Sequence, residues 1–140
     1  MNKIKFNFLL VLSFIVSAAI PNPPDLGVGS YVLYEPNTKK VLDSFNADVP
    51  VQPASLTKLM TSYVVADYIK EDFIRLDDTP KISIKAWKTE GSRMFIREGT
   101  KVAVSDLIKG MIIQSGNDAS VALAEHVAGS EENFAYLMNE

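Results

Sequence analysis

The sequence divides near residue 19, and this division fixes how much chain remains to build a folded domain. Residues 1–19 open with Lys3 and Lys5, continue as an apolar run from Phe6 to Val16 and end in three small residues. This order is typical of a cleavable signal peptide, and the run is shorter than the roughly 20 residues that span a bilayer. An uncleaved anchor or a buried helix is the alternative interpretation. The sequence therefore predicts an exported protein whose mature chain, residues 20–140, has room for one domain.

The composition excludes several classes of protein. The chain has no cysteine, which excludes a disulfide framework, a thiolate zinc site and a catalytic thiol. His126 is the single histidine, so a multi-histidine metal site is not expected. The net charge is −3, and loss of Lys3 and Lys5 with the signal peptide takes it to −5. A nucleic-acid-binding domain carries a basic excess, so we expect no nucleic-acid partner.

The hydrophobic periodicity predicts an α+β domain in which a hairpin is followed by helices. Strand-like alternation around a Pro-Asn turn predicts a β-hairpin over residues 30–45. A broad apolar stripe after Pro53 predicts a buried helix over residues 54–70. Shorter patterns predict a strand at 81–84, a second hairpin over 91–104, a helix at 106–113 capped by Ser105, a helix at 117–128 ending at Gly129 and a last helix capped by Ser130.

Ser55 and Lys58 form the first motif that carries chemistry, Ser-x-x-Lys, at the start of the long predicted helix. Residues three apart share one helix face, so the hydroxyl and the ammonium group can meet. Serine is a poor nucleophile at neutral pH and needs a base within reach to take its proton. Lysine has an ordinary pKa of about 10.4 and serves as that base only when it is desolvated or near other cations. Alone, such a pair is usually part of a solvated helix face.

Ser115, Gly116 and Asn117 form the second motif, in the tight link between two predicted helices. Gly116 is expected to allow a sharp turn that puts both neighbouring side chains on one side. Ser115 can relay a proton, and the amide of Asn117 offers a donor and an acceptor to an amide in a substrate. Neither motif alone indicates catalysis. Together they do, because both occur in one exported chain and each lies at the edge of a predicted helix.

The segment from Pro53 to Thr61 resembles the active-site segment of the D-alanyl-D-alanine carboxypeptidases, the low-molecular-mass penicillin-binding proteins. The hairpin at 30–41 and the segment from Ser92 to Glu125 resemble the same family, and the resemblance covers about residues 26–140. Ser-x-x-Lys followed by Ser-x-Asn is shared by penicillin-binding proteins and class A β-lactamases. The resemblance implies a β-lactamase-like transpeptidase fold, in which an antiparallel sheet packs against a helical cluster.

The resemblance also implies a role for four residues of the two motifs. Ser55 would be the acyl-ester nucleophile, Lys58 its general base, Ser115 the proton relay to the leaving D-alanine and Asn117 a substrate-binding residue. The family removes the terminal D-alanine from peptidoglycan pentapeptide stems through a serine acyl-enzyme. β-Lactams inhibit it by imitating the D-Ala-D-Ala end. The resemblance implies no metal or organic cofactor, and a location in the periplasm or at the outer face of the cytoplasmic membrane.

One element of the family pattern does not occur in the sequence. The third motif, Lys-Thr-Gly, is absent, and Lys109-Gly110 cannot stand in because it lies in a predicted helix before the second motif. We therefore expect residues 20–140 to be the N-terminal part of a truncated catalytic domain, without the C-terminal region that associates peripherally with membranes. The open alternatives are a β-lactamase or D,D-endopeptidase of the same fold, and an inactive remnant. Asp118 and Glu125 resemble acids for deacylation, although a helix start and an exposed helix face are the simpler interpretations.

Overall fold

A computed structural model describes residues 24–140 of the chain. The predicted signal peptide, residues 1–19, lies outside the described residues. The chain divides into two compact units, one ending at Pro50 and the other running from Val51 to Glu140. Between residues 24 and 140, no helix combines the length and the apolar character needed to cross a membrane.

The first unit is a two-stranded antiparallel hairpin, which confirms the first predicted hairpin. Strand β1 is Tyr31–Glu35 and strand β2 is Lys40–Phe45. Glu35 closes the turn, because its carboxylate accepts the backbone N–H groups of Asn37 at 3.0 Å and Thr38 at 2.5 Å. Hydrogen bonding from Thr38, followed by that from Asn37, lowers the pKa of Glu35 to about 2.

The second unit is built from helices arranged around one central helix. Helix α4 packs against all four of the other α-helices in the unit. Its alanines let neighbouring backbones approach closely, and Ala119 and Leu123 are fully buried. Over residues 51–140 the helices are α1 Thr57–Lys70, α2 Ile84–Lys88, α3 Val104–Ile113, α4 Asn117–Ala128 and α5 Glu131–Leu137, with a 3₁₀ turn at Ala54–Leu56 just before α1.

The ends of the helices follow the predicted signals, with one exception. Helix α4 ends at Gly129, which adopts the left-handed conformation at φ +80°. The hydroxyl of Ser130 caps α5 by accepting the N–H of Asn133 at 3.1 Å. The predicted cap at Ser105 is wrong, because Ser105 lies inside α3, which begins at Val104, and no side chain caps this helix.

The predicted strand at residues 81–84 is wrong. Lys81 makes only an isolated bridge with Lys101, and a helix begins immediately afterwards. The hydroxyl of Ser83 caps α2 by accepting the N–H of Ala86 at 2.9 Å. This capping bond competes with extended pairing, so a short apolar-polar alternation becomes a helix start.

The predicted second hairpin at residues 91–104 is also wrong. The N–H groups of Met94 and Ile96 do not pair across a turn but donate to the carboxylate of Asp118, at 3.0 and 3.2 Å. The apolar alternation that suggested a strand therefore belongs to a loop that is tied to α4. A side-chain acceptor from a distant element has replaced the partner strand.

Candidate active site

The two motifs meet in space. Ser55 lies in the 3₁₀ turn before α1 and Lys58 in the first turn of α1, whereas Ser115 and Asn117 lie at the α3–α4 link. The Ser115 hydroxyl donates to the Ser55 hydroxyl at 3.2 Å. The Lys58 ammonium donates to Asn117 Oδ1 at 2.7 Å. Two hydrogen bonds therefore join motifs whose serines are 60 residues apart.

Ser55 and Lys58 do not form a direct hydrogen bond in the described part of the chain. The Lys58 ammonium is taken by Asn117 instead, and Ser55 precedes the α-helix proper. Ser55 is exposed, while Lys58 is half-buried. In a site without substrate, catalytic hydrogen bonds are often long and tighten only when substrate binds. Both residues line one cavity, and the neutral amide of Asn117 holds the Lys58 ammonium group.

Strained backbone lies beside both serines. Ala54, immediately before Ser55, has φ +46°, and Ser115 itself has φ +51°. Non-glycine residues seldom adopt this left-handed region, and each instance costs on the order of 1 kcal/mol or more. Such strain persists only where the surroundings enforce it, and it concentrates at functional sites.

Gly116 serves a different purpose from the one predicted. Its own φ is −63°, so the sharp turn is made by Ser115 and not by the glycine. A Cβ on Gly116 would lie 3.1 Å from Asp118 Oδ1 and from the Gly110 carbonyl oxygen, and 3.3 Å from the Met94 nitrogen. The glycine is therefore required for close approach of the loop, α3 and α4.

Asn117 is held on three sides. Its Nδ2 donates to the Glu90 carbonyl oxygen at 2.7 Å, and its backbone N–H donates to the Ser92 carbonyl oxygen at 2.7 Å, which ties the first turn of α4 to the loop before Met94. Gly91 lies so close that a Cβ there would be 2.6 Å from Nδ2. With Oδ1 accepting from Lys58, the amide orientation is fixed, and among the described residues the second Nδ2 hydrogen is left for a ligand.

Asp118 is a residue of the site whose importance the sequence analysis missed. Only 1% of its surface is exposed, and its carboxylate accepts three backbone N–H groups, from Met94, Ile96 and Ala119 at 3.0, 3.2 and 2.9 Å. It therefore supports the helix start, as one interpretation held, and also fastens the loop of residues 92–97 to α4. An acid in the first turn of a helix is common, so the sequence carried no distinct signal for this second contact.

A cavity of about 440 Å³ opens in front of Ser55, between the start of α1 and the end of α3. Apolar side chains dominate it, and both serines line it. Its lining consists of Pro53, Ala54, Ser55, Leu56, Lys58, Leu59, Ser62, Met111, Ile112 and Ser115. In the part of the chain that the structure describes, no group of three or more His, Asp or Glu side chains is arranged to hold a metal ion.

Solved structures similar to this chain define its class. Penicillin-binding protein 5 from Haemophilus influenzae superposes with a TM-score of 0.78 at 43% identity, over 85% of this chain and 36% of that one. The D-alanyl-D-alanine carboxypeptidase DacD from Francisella tularensis superposes with a TM-score of 0.77 at 42% identity, over 86% of this chain and 29% of that one. The fold is therefore that of the penicillin-binding proteins, which confirms the predicted fold class.

The family follows from the sequence comparisons. The profile of peptidase family S11, D-alanyl-D-alanine carboxypeptidase, matches residues 17–140. The D-alanyl-D-alanine carboxypeptidase DacC of Escherichia coli is 44% identical over 96% of this chain and 35% of its own length. A D-alanyl-D-alanine endopeptidase of Pseudomonas aeruginosa is 33% identical over 87% of this chain and 38% of its own length. This chain belongs to the D-alanyl-D-alanine carboxypeptidase family, and it spans about a third of the length of these relatives.

Proposed function

We propose that this chain supplies the nucleophile-bearing part of a serine-type D-Ala-D-Ala carboxypeptidase that removes the terminal D-alanine from peptidoglycan stem peptides. The observation that carries the proposal is the pair of hydrogen bonds from Ser115 to Ser55 and from Lys58 to Asn117. These bonds link Ser55, Ser115, Lys58 and Asn117, and we assign them the roles of nucleophile, proton relay, base and substrate-binding amide. Membership of the carboxypeptidase family supports the same reaction.

The reaction consists of an acylation and a hydrolysis. The Ser55 oxygen attacks the carbonyl carbon of the penultimate D-alanine, and its proton passes to the Lys58 amine, which must be neutral at that moment. The C–N bond then breaks as the amine of the leaving D-alanine takes the Ser115 hydroxyl proton, and Ser115 recovers a proton from the Lys58 ammonium group. Water afterwards hydrolyses the ester, which releases the shortened peptide and restores the serine. The 3.2 Å between the two serine oxygens suits a proton relay.

Two observations favour the carboxypeptidase over the enzymatic alternatives. A class A β-lactamase needs an acidic residue that activates the deacylating water, and of the two candidates, Asp118 and Glu125, both oxygens of Asp118 already accept backbone N–H groups. Among the relatives reported above, the endopeptidase shares 33% identity with this chain, against 44% for the carboxypeptidase. The partners we propose are accordingly a stem peptide ending in D-Ala-D-Ala, and β-lactams as inhibitors.

We propose that the reaction takes place outside the cytoplasmic membrane, in the periplasm or at the outer face of that membrane. The support is the pattern of residues 1–19, in which a positive start, an apolar run and small residues follow one another. Peripheral attachment to the membrane through a C-terminal region stays a prediction from the resemblance.

The test is labelling of the full-length protein with a fluorescent penicillin, alongside release of D-alanine from a pentapeptide. We expect Ser55→Ala to abolish both signals and Lys58→Ala to slow acylation by roughly 10²–10⁴-fold, because the base is lost. Ser105→Ala, which removes a hydroxyl in α3, is the matched control and should acylate at the normal rate. Labelling that survives Ser55→Ala would refute the nucleophile assignment.

The same preparations separate the alternatives. Steady turnover of the β-lactam in place of lasting acylation would favour a β-lactamase, and cleavage of a cross-linked muropeptide would favour an endopeptidase. A correctly folded wild-type protein that neither acylates nor releases D-alanine would favour the inactive remnant.

A further inference from the structure

The link between α3 and α4 places Ser115 in a strained backbone conformation. Helix α3 ends at Ile113 and α4 begins at Asn117, so the chain changes direction over a very short stretch. Within it, Ser115 has φ +51°, a left-handed value that is costly for any residue other than glycine. Such a conformation persists only where surrounding contacts enforce it. The contacts that hold this link are therefore also the contacts that place the Ser115 side chain.

Ser92, in the loop of residues 92–97, contacts the chain on both sides of Ser115. Its hydroxyl donates a hydrogen bond to the Gln114 carbonyl oxygen, 22 residues away in the sequence. Its own carbonyl oxygen accepts the Asn117 N–H at 2.7 Å. A single residue therefore holds both the peptide group that precedes Ser115 and the first N–H of α4.

The bond to Gln114 acts directly on the strained angle. The Gln114 carbonyl belongs to the planar peptide group that precedes Ser115, and φ of Ser115 describes rotation between that plane and the rest of the residue. Relaxation of φ from +51° to the ordinary value of about −60° would have to rotate this plane or the residues that follow it. Because Ser92 holds the plane and the start of α4 at once, neither side can rotate while both bonds are present.

The loop that carries Ser92 is anchored by contacts outside the link. The Met94 N–H donates to the buried carboxylate of Asp118 at 3.0 Å, and the Ile96 N–H donates to the other carboxylate oxygen at 3.2 Å. Asp118 lies in the first turn of α4, so these bonds fix the loop against that helix. The loop can therefore act as a support for the turn at Ser115.

The contact between the two serines is sensitive to this support. The Ser115 hydroxyl donates to the Ser55 hydroxyl at 3.2 Å, the upper limit of the roughly 2.6–3.2 Å over which protons are transferred. A small rotation at Ser115 would therefore break the contact. Ser92 is not among the residues that line the cavity at Ser55, and its hydroxyl proton is committed to Gln114. Its influence on the chemistry is thus exerted through Ser115.

We propose that Ser92 is a positioning residue for the proton relay at Ser115. This inference rests on the proposed function, and it adds the residue that keeps the relay within reach of Ser55. The Ser92 hydroxyl holds the Gln114 carbonyl, and the left-handed turn persists as a result. Ser92→Ala removes this contact alone, because the backbone carbonyl of residue 92 can still accept the Asn117 N–H. The variant therefore separates the relay from substrate binding at Asn117.

The first experiment uses the leaving group to separate the relay from the other steps. In the full-length protein, kcat/KM is measured for a peptide ending in D-Ala-D-Ala and for its thioester analogue. The D-alanine amine must take a proton as it leaves, whereas a thiol with a pKa of about 8.5 leaves as the thiolate. Because a displacement of about 1 Å can cost roughly 10²-fold, Ser92→Ala should lower kcat/KM about 10- to 100-fold for the amide and less than about twofold for the thioester.

Two further variants check this assignment. Ser92→Thr keeps the hydroxyl and should keep the wild-type ratio of the two rates. Ser130→Ala removes the hydroxyl that caps α5, beyond the opposite end of α4, and should leave both rates unchanged. The inference is overturned if Ser92→Ala slows the amide and the thioester equally, or slows neither. It is also overturned if Ser92→Thr loses the ratio as Ser92→Ala does.

The second experiment is a double-mutant cycle with Ser115→Ala. Once the relay hydroxyl is missing, its position no longer matters, so adding Ser92→Ala should lower kcat/KM for the amide by less than about twofold. A further loss as large as that caused by Ser92→Ala alone would show an independent role and refute the inference. Failure of the proposed function would be distinct, because the wild-type protein would then release no D-alanine and penicillin would not label Ser55.

Discussion

Replacing Asp118 with asparagine removes the charge that ties the loop of residues 92–97 to α4. One carboxylate oxygen accepts from Met94 and Ala119 and the other from Ile96, so asparagine keeps one acceptor and turns an NH₂ group toward a third donor. A hydrogen bond to a charged group contributes about 1.5–3 kcal/mol, and a buried donor left unpaired costs about 1–3 kcal/mol. The variant should therefore lose about 3–5 kcal/mol of unfolding free energy.

The same substitution should also slow acylation, because Ser92 of this loop and Glu90 just before it hold Asn117. The carbonyl groups of Glu90 and Ser92 accept its two N–H donors at 2.7 Å. A displacement of about 1 Å at a catalytic group can cost roughly 10²-fold in rate. We expect the second-order rate of acylation by penicillin to fall about 10- to 100-fold under conditions in which the variant is still folded.

Urea unfolding, hydrogen exchange at the Met94 and Ile96 amides and stopped-flow acylation measure these effects. Asp106→Asn is the matched control: Asp106 is 58% exposed and pairs only with Lys109, at 3.0 Å, among the described residues. Asp106→Asn should lower the free energy of unfolding by less than about 1 kcal/mol and leave the rate of acylation unchanged. If Asp118→Asn is as mild as the control in both measurements, the carboxylate does not hold the loop and the reasoning fails.

Three further predictions concern other parts of the chain. Gly91→Ala should lower the rate of acylation by penicillin, because Gly91 has φ +89° and a Cβ there would lie 2.6 Å from Asn117 Nδ2. Acylation at the wild-type rate would contradict this. NMR titration should show the Glu35 carboxylate taking up its proton near pH 2. Because the pKa is lowered from 4.5, the carboxylate stabilises the turn fully above pH 4.5 and loses this effect as the pH falls toward 2. Glu35→Gln should remove this pH dependence. Leu107→Ala should cost about 2–5 kcal/mol in urea unfolding, because Leu107 is fully buried, and a loss below about 1 kcal/mol would count against the assigned core.

The sequence was most informative where a local pattern coincides with a local contact. The first hairpin, the existence of α1 and the bounds of α4 follow from hydrophobic periodicity and turn residues within single segments. The predicted burial of α1 was wrong for the described residues, since Leu59 and Tyr63 are 71% and 70% exposed. The segment at 91–104 failed because its shape depends on Asp118, 22 residues or more from the amides that it binds. A single sequence contains no signal for such a long-range acceptor. The period of two was present, but a side-chain partner, and not a strand, satisfied the backbone.

The candidate site shows the same division between local and long-range causes. Ser55 and Lys58 could be recognised as a Ser-x-x-Lys motif, and Ser115 and Asn117 because they flank one glycine in a tight link. The shared helix face predicted for Ser55 and Lys58 was wrong, because Ser55 lies in the 3₁₀ turn before α1. The contact between Lys58 and Asn117, 59 residues apart, depends on how α1 packs against α4. The left-handed turn at Ser115 was assigned to Gly116, since sequence reasoning gives unusual backbone angles to glycine.

Three of the four non-glycine residues with a left-handed backbone between residues 51 and 140 lie near the candidate site, as does the buried Asp118; the fourth is Asp72. Ala54, Phe95 and Ser115 each hold a left-handed backbone that costs stability, and all three lie beside a serine hydroxyl or in the loop that orients Asn117. A buried carboxylate such as Asp118 is likewise costly unless every oxygen is satisfied. The three hydrogen bonds that the Asp118 carboxylate accepts offset the cost of burying it. The same bonds hold the turn at Phe95 and the start of α4, next to the candidate site. The residues to which we assign the chemistry can therefore be recognised from motifs, whereas Asp118, which holds the loop beside them, can be recognised only from the fold.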